Sequence, residues 1–321
     1  MEHFEHFGLR EDPFTNDPLP HFIVEVPEQL SAERRLLRAV RQGRGLCVLT
    51  GAVGSGKTAV ARDLLDALDA ERFEASLLVL MPDNQEPGRF LQRIAVQLGV
   101  AEDSEADGSL LRRLHEKLME HAENGRRCSF LVDEAQLLAA PANLALLRGL
   151  LNLECNDRYL LSLVLFGLPE LAAAVWRTPA LAHRVDVWVE LTGMNQETLE
   201  IYLAHRISRA GGDPDLVAAA ALEALYRRSL GFPRRINALA DHALFEAYLA
   251  GAHKVTERHV EAAARSLCLA PEANSRPGES DGSDWDRTLV VEAEDEVAGM
   301  KMDVLEDDEF LGKLVRGPRD T

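Results

Sequence analysis

The chain has 321 residues, 46% of them hydrophobic and 27% charged, and a formal net charge of -18 at pH 7. That length suffices for one sizeable α/β domain plus a smaller one, and an acidic body disfavours non-specific binding to nucleic acid. Cys47, Cys128, Cys155 and Cys268 are scattered without C-x-x-C spacing, which excludes a disulfide framework and a zinc site and leaves reduced, buried, small apolar residues.

The N-terminus lacks the basic and then apolar run of a signal peptide. The longest apolar window, 160–176, is broken by Gly167, Pro169 and Glu170, so no membrane span and a cytoplasmic location are expected. Residues 1–30 alternate Phe4, Phe7, Phe14 and Phe22 with Pro13, Pro18, Pro20 and Pro27, which reads as a strap packed on a domain, since disordered tails are poor in aromatics. His3, His6 and His21 are joined by no acid or cysteine at ligand spacing and are read as surface residues. Ser31 is a good N-cap for a helix over 31–42 with Leu36, Leu37 and Val40 facing inward. Its other face carries Arg34, Arg38 and Arg41, as a solvated surface or a binding one.

The next stretch organises the rest. Gly51, Ala52, Val53, Gly54, Ser55, Gly56, Lys57 and Thr58 fit G-x-x-x-x-G-K-[ST] at every fixed position, between an apolar run at 46–49 and a helix-like run at 59–68 beginning with Ala59. Glycines let the backbone wrap a phosphate chain with N–H groups pointing inward, and the helix adds its positive N-terminal end. Lys57 is placed to reach the β- and γ-phosphates of a nucleoside triphosphate, and the Thr58 hydroxyl to ligate Mg²⁺.

A strand over 76–80, helices over 87–98 and 109–124 and a polar loop at 101–108 follow. The run Phe130-Leu131-Val132-Asp133-Glu134 is a buried strand ending in two acids, which calls for a cation. In this reading Asp133 holds Mg²⁺, directly or through water, and Glu134 orients and polarises the attacking water; the alternative is a pair of acids that merely cap the next helix. A helix at 143–153, a turn at Asn156-Asp157, a strand at 160–166, a short helix at 169–176, a segment at 179–184 and a strand at 185–191 complete a parallel five-stranded α/β pattern. Its ligand belongs at the C-terminal ends of the strands. From 195 only helices follow, at 195–210, 214–229, 233–250 and 256–268, with Gly193 and Gly231 as punctuation.

Residues 271–321 carry 15 acids against 6 bases, half of the net charge, and read as a disordered acidic tail. Within it Asp307 to Val315 has the spacing of a short amphipathic helix that docks on a partner or folds back, beside the plainer reading of a solubilising tail. The expected organisation is therefore a strap at 1–30, a nucleotide-binding domain at 31–192, a helical lid at 193–269 and a tail from 270.

With Phe7-Gly8-Leu9, Pro13-Phe14, Asp133-Glu134-Ala135-Gln136, Leu147-Arg148, Asn152-Leu153-Glu154, Val164 to Gly167, Pro169-Glu170-Leu171 and Gly231-Phe232-Pro233-Arg234-Arg235-Ile236-Asn237, the sequence resembles the AAA+ ATPases of the general secretion pathway A (ExeA-type) family, related to pilus-biogenesis and TniB-type transposition ATPases. The resemblance covers about 3–268. It implies a P-loop NTPase (AAA+) fold, a parallel five-stranded sheet sandwiched by helices and followed by a small all-α lid, with ATP and Mg²⁺ as ligands. It also implies that Arg234 is the lid arginine touching the phosphates, and that Arg184 is an arginine finger for the next subunit of a homo-oligomer. The implied function is ATP hydrolysis driving remodelling of a protein partner in secretion, pilus or envelope assembly.

Leu168 stands where the family places a glutamine, so slow hydrolysis is expected, with a nucleotide-gated scaffold as the alternative. Secretion-type relatives continue into a membrane span and a peptidoglycan-binding region where this chain has its acidic run, so anchoring a channel in the cell wall is not expected. A TniB-like role on DNA is allowed by the arginines of 31–42 but opposed by the overall charge.

Overall fold

In the computed structural model of the chain, the described residues are 2–269 apart from 18, 23, 83–85, 101–106 and 157. The tail from 270, and most of the polar loop at 101–108, lie outside them.

Five strands form one parallel sheet: β1 Leu46–Gly51, β2 Phe73–Val79, β3 Arg127–Asp133, β6 Leu161–Gly167 and β7 Val185–Leu191, in the spatial order β2-β3-β6-β1-β7. The short β4 Glu154–Cys155 and β5 Arg158–Tyr159 make a separate hairpin, turned by Asn156 at φ 52°. All five expected strands are present, and β2 begins three residues before its expected start because Phe73 pairs with Arg127 at the sheet edge.

Side-chain alternation explains the three layers. Leu46, Val48, Phe130, Val132, Leu163 and Leu165 point to one face, where they pack with α4 Pro87–Gln97, α5 Asp107–Glu123, α6 Pro141–Leu150 and α7 Pro169–Trp176. Cys47, Leu49, Leu131, Val164 and Phe166 point to the other, against α2 Pro27–Arg41 and α3 Lys57–Asp66. Burial on both faces is what makes these strands read as continuous apolar runs. It also pushes the Cys47 and Cys128 thiols up to about 12, so both are inert; Cys155 is half-buried, and Cys268 is exposed rather than buried as expected.

Helix α2 begins at Pro27, four residues before Ser31. Proline at the first helical position has the required φ and lacks only an N–H that would have no helical partner, so it outcompetes the serine.

The lid helices are α9 Gln196–Arg209, α10 Ala219–Ser229, α11 Pro233–Leu249 and α12 Glu257–Ser266, following the four-residue α8 Pro179–Ala182 that leads into β7. Asn195 caps α9 by accepting from the Thr198 N–H at 2.8 Å. The strap, including the short α1 Glu2–His6, covers this helical layer and not the sheet. Phe7, Leu9, Phe14, Phe22 and Val26 share one apolar cluster with Leu199, Leu203, Leu225, Ile236, Leu244 and Val260. Arg206, 6% exposed, fastens it: its guanidinium donates to the carbonyls of Pro13 and Thr15 and to the Tyr202 hydroxyl, each at 2.6 Å, and lies over the Phe22 ring. Tyr202 in turn donates to Asn237 at 2.8 Å, and Asn237 donates to Asn16 at 3.1 Å.

Candidate functional site

Parallel register brings three strand ends to one level. Thr50 of β1 pairs with Gly167 of β6, and Val132 of β3 pairs with Leu165. The phosphate loop, the β6–α7 junction and the acidic pair therefore meet at the C-terminal edge of the sheet, where an open parallel sheet places its ligand.

The loop turns through Gly54 and Gly56 at φ 81° and 99°, and Gly56 is the N-cap of α3. Lys57, only 9% exposed, donates to the carbonyls of Gly51 at 2.9 Å and Ala52 at 3.0 Å. Burial lowers its pKa, partly offset by the charges of Glu134 and Asp133. Among the described residues its hydrogen bonds go to carbonyls alone, so no carboxylate is bonded to the ammonium. Ser55 Oγ is also buried, with no hydrogen-bond partner among the described residues. Both observations fit a phosphate chain in the loop.

Thr58 donates to Asp133 Oδ2 at 2.7 Å, and Asp133 is 2% exposed. A hydroxyl and a carboxylate oxygen meeting at a buried strand end are the hard oxygen donors that suit Mg²⁺. Glu134 follows with φ 57°, its own N–H held by Asp133 Oδ1 at 2.9 Å and its side chain exposed. The alternative reading of the two acids as helix caps does not describe this geometry: Asp133 bonds to Thr58, and Glu134 makes no side-chain cap.

Arg234, in the first turn of α11, reaches the loop. Its N–H donates to the Gly54 carbonyl at 3.4 Å, and a Cβ built on Gly54 would meet the Arg234 Cβ at 2.8 Å. Arg184 is elsewhere. Val185, next to it, pairs with Leu46 at the start of β1, so Arg184 sits at the far end of the six-residue β1, about 17 Å from the loop at roughly 3.3 Å per residue. One of its guanidinium nitrogens is buried without a partner among the described residues.

The structure thus gathers Gly51, Ala52, Val53, Gly54, Ser55, Gly56, Lys57, Thr58, Ala59, Asp133, Glu134 and Arg234, and leaves Arg184 outside its own site. Two residues of the site escape sequence reasoning. Gln29 of α2 donates to the Ser55 carbonyl at 3.2 Å and lies against Gly56, so the loop is flanked by α2 as well as by α11. Gln136 bridges Glu134 and Leu168. Only the Asp133-Glu134-Ala135-Gln136 block hinted at the second.

A cleft of about 1020 Å³ at the opposite edge is lined by Arg44, Arg126, Arg127 and Arg158 among others. At least two of these serve the fold: Arg127 donates to the carbonyl of Arg41, and Arg126 to that of Ala70.

A glycine-rich loop between β1 and α3, with Thr58 bonded to Asp133 beside it and the first turn of α11 against it, on a β2-β3-β6-β1-β7 parallel sheet, gives the fold of a P-loop NTPase of the AAA+ class. Residues 40–175 match the family model described as an AAA domain. The fold is that of the ORC2 protein of Aeropyrum pernix (TM-score 0.57, 18% identity, 80% of this chain and 72% of that one) and of Cdc6p of Pyrobaculum aerophilum (TM-score 0.59, 15% identity, 81% and 72%). In sequence the chain is a relative of general secretion pathway protein A of Aeromonas hydrophila, 35% identical over 289 residues. That alignment takes in 89% of this chain and 50% of that protein, so the chain spans about half the length of this curated relative. No helix among the described residues is long and apolar enough to cross a membrane.

Proposed function

We propose that this chain binds ATP between its sheet and its helical lid, hydrolyses it slowly as an oligomer, and uses the cycle to remodel a protein partner in secretion, pilus or envelope assembly. The observation that carries the reading is the meeting of Lys57, Thr58, Asp133, Glu134 and Arg234 around one loop, while Arg184 stands at the far end of the sheet. The loop N–H groups and Lys57 hold the phosphates, and Glu134 takes a proton from the attacking water. Arg234 couples the phosphates to α11, and Arg184 serves the site of a neighbouring copy because its own lies beyond reach. Thr58 and Asp133 would hold Mg²⁺, which supplies neutralisation of the charge developing on the γ-phosphoryl group.

The relation to a secretion-pathway protein supports the choice of partner class. ATP turnover per subunit against protein concentration, for wild type, Glu134→Gln and Arg184→Ala, with mass by light scattering, tests the proposal. Activity per subunit should climb with concentration, and Arg184→Ala should remove about 10³-fold or more of it with nucleotide binding intact. Activity independent of concentration and of Arg184 would refute the shared site. The apolar Leu168 favours a second reading, a nucleotide-gated scaffold, to which near-zero turnover of a tightly bound ATP at every concentration and with partner present would point.

A further inference from the structure

Glu134 is an exposed carboxylate on a backbone in the left-handed region, and among the described residues its side chain is held at a single point. That point is Gln136, in the one-turn segment Ala135–Leu138 that follows β3. Its Nε2 donates to Glu134 Oε2 at 2.5 Å, and its Oε1 accepts from the Leu168 N–H at 3.2 Å. The chemistry of the second bond fixes the first. A backbone N–H can only donate, so the amide oxygen must face Leu168, which turns the NH₂ group toward the carboxylate.

The slot is built for this side chain. A Cβ on Gly167 would lie 3.1 Å from the Gln136 backbone nitrogen and 3.2 Å from its Oε1, with Leu171 at 2.7 Å. Leu168 itself contributes only its main chain, as the residue that precedes Pro169 and caps α7. The polar contact between the acidic pair and the end of β6 is therefore made by a side chain from the β3 side.

We infer that Gln136 is the positioning residue of Glu134: it fixes the carboxylate toward the attacking water and ties it to the β6–α7 junction, in the role that the side chain at 168 cannot fill. The inference rests on the reading of Glu134 as the base. A shift of Leu168 relative to β3 pulls on the same amide that orients the carboxylate. Helix α7 continues through α8 to Arg184, so the junction lies between the base of one site and the arginine offered to another.

Single-turnover and steady-state ATP hydrolysis by the full chain, with ATP affinity measured separately by a fluorescent nucleotide, tests this. Gln136→Glu keeps the length and the oxygen that accepts from Leu168 but replaces the donor facing Glu134 by a second carboxylate. Gln136→Met keeps the size and removes both bonds. Each should lower kcat about 10- to 100-fold, a share of what a general base contributes, with the ATP dissociation constant within about two-fold of wild type. Neither should lower kcat further in a Glu134→Gln background, since a group acting only through Glu134 has nothing left to orient. Wild-type kcat in Gln136→Glu while Glu134→Gln is inactive overturns the role of Gln136 and leaves the base standing. Equal loss of affinity and kcat overturns it too, because it marks a structural role. Wild-type turnover in Glu134→Gln removes the base itself.

Discussion

Gly193 and Gly231 lie face to face where the sheet ends and the lid begins. The Met194 N–H donates to the Gly231 carbonyl at 2.9 Å, a Cβ on Gly193 would sit 2.0 Å from the Leu230 oxygen, and one on Gly231 would sit 2.0 Å from the Met194 oxygen. No side chain fits at either position, and Gly231 adds a φ of 74°. This crossing sets the start of α11 and with it Arg234. Alanine at either position should destabilise the protein by about 1–3 kcal/mol, from overpacking and, at 231, backbone strain. Denaturant midpoints measure that loss, and weaker stabilisation by MgATP in the same variants would show a displaced Arg234.

Burial of Lys57 disfavours its charged form. Its folded pKa lies below the ordinary 10.5 because burial disfavours the charge. The penalty is therefore present at neutral pH and is relieved as pH rises through the folded pKa toward 10.5. Lys57→Met should leave the ligand-free melting temperature nearly unchanged, because relief of the buried charge offsets the loss of its bonds to the Gly51 and Ala52 carbonyls, and MgATP should raise the melting temperature of the wild type but not of the variant. Thermal shift with and without nucleotide checks both halves; a large loss of ligand-free stability in Lys57→Met would contradict the account.

Arg206 holds the strap from inside the lid. Its three hydrogen bonds, two of them buried, go to two carbonyls and a phenol, and its removal strands those oxygens. Arg206→Met should lower stability by about 3 kcal/mol or more. Limited proteolysis should then cut within residues 1–20 at concentrations of protease that leave the wild type intact, because the strap has lost its polar attachment while its phenylalanines remain.

Helix α12 carries a pH dependence of predictable sign. Thr256 caps it, and the Thr256 N–H donates to His259 Nδ1 at 3.1 Å, a bond only the neutral imidazole can accept. Burial and then Arg258 lower the His259 pKa below the ordinary 6.5, with Glu246 opposing. The stability contributed is complete above about pH 6.5 and declines as pH falls through that value, where the unfolded chain takes up the proton first. His259→Gln keeps an acceptor at the capping position and should flatten that part of the stability profile between pH 7 and 5. An unchanged slope would show that other groups set it.

Much of this was legible in the chain because the controlling patterns are local. The phosphate loop is eight contiguous residues whose conformation follows from its glycines and its place between an apolar strand and a helix. The strands announced themselves as short apolar runs because both of their faces are covered, and Asp133-Glu134 stood out as charge at the end of such a run. Arg234 was legible only through a resemblance, and the structure then set it against Gly54.

The remainder depended on residues far apart in sequence. That Phe7 and Phe14 pack with the lid and not the sheet follows from Arg206, about 190 positions later, and no periodicity in either segment carries that information. Gln29 against the loop, Gln136 against Leu168, and Gly193 against Gly231 are pairings of types that are unremarkable singly. The distance of Arg184 from its own phosphate loop is a consequence of β1 and β7 running parallel, with a register shift only between Leu46 and Cys47. Spacing and the apolar runs determined the P-loop fold and the order of layers, since these rest on local backbone preference and on burial. Only the tertiary structure decided which groups meet, because hydrogen bonds and close backbone approaches depend on distances of a few tenths of an ångström that the order of residues does not encode pair by pair.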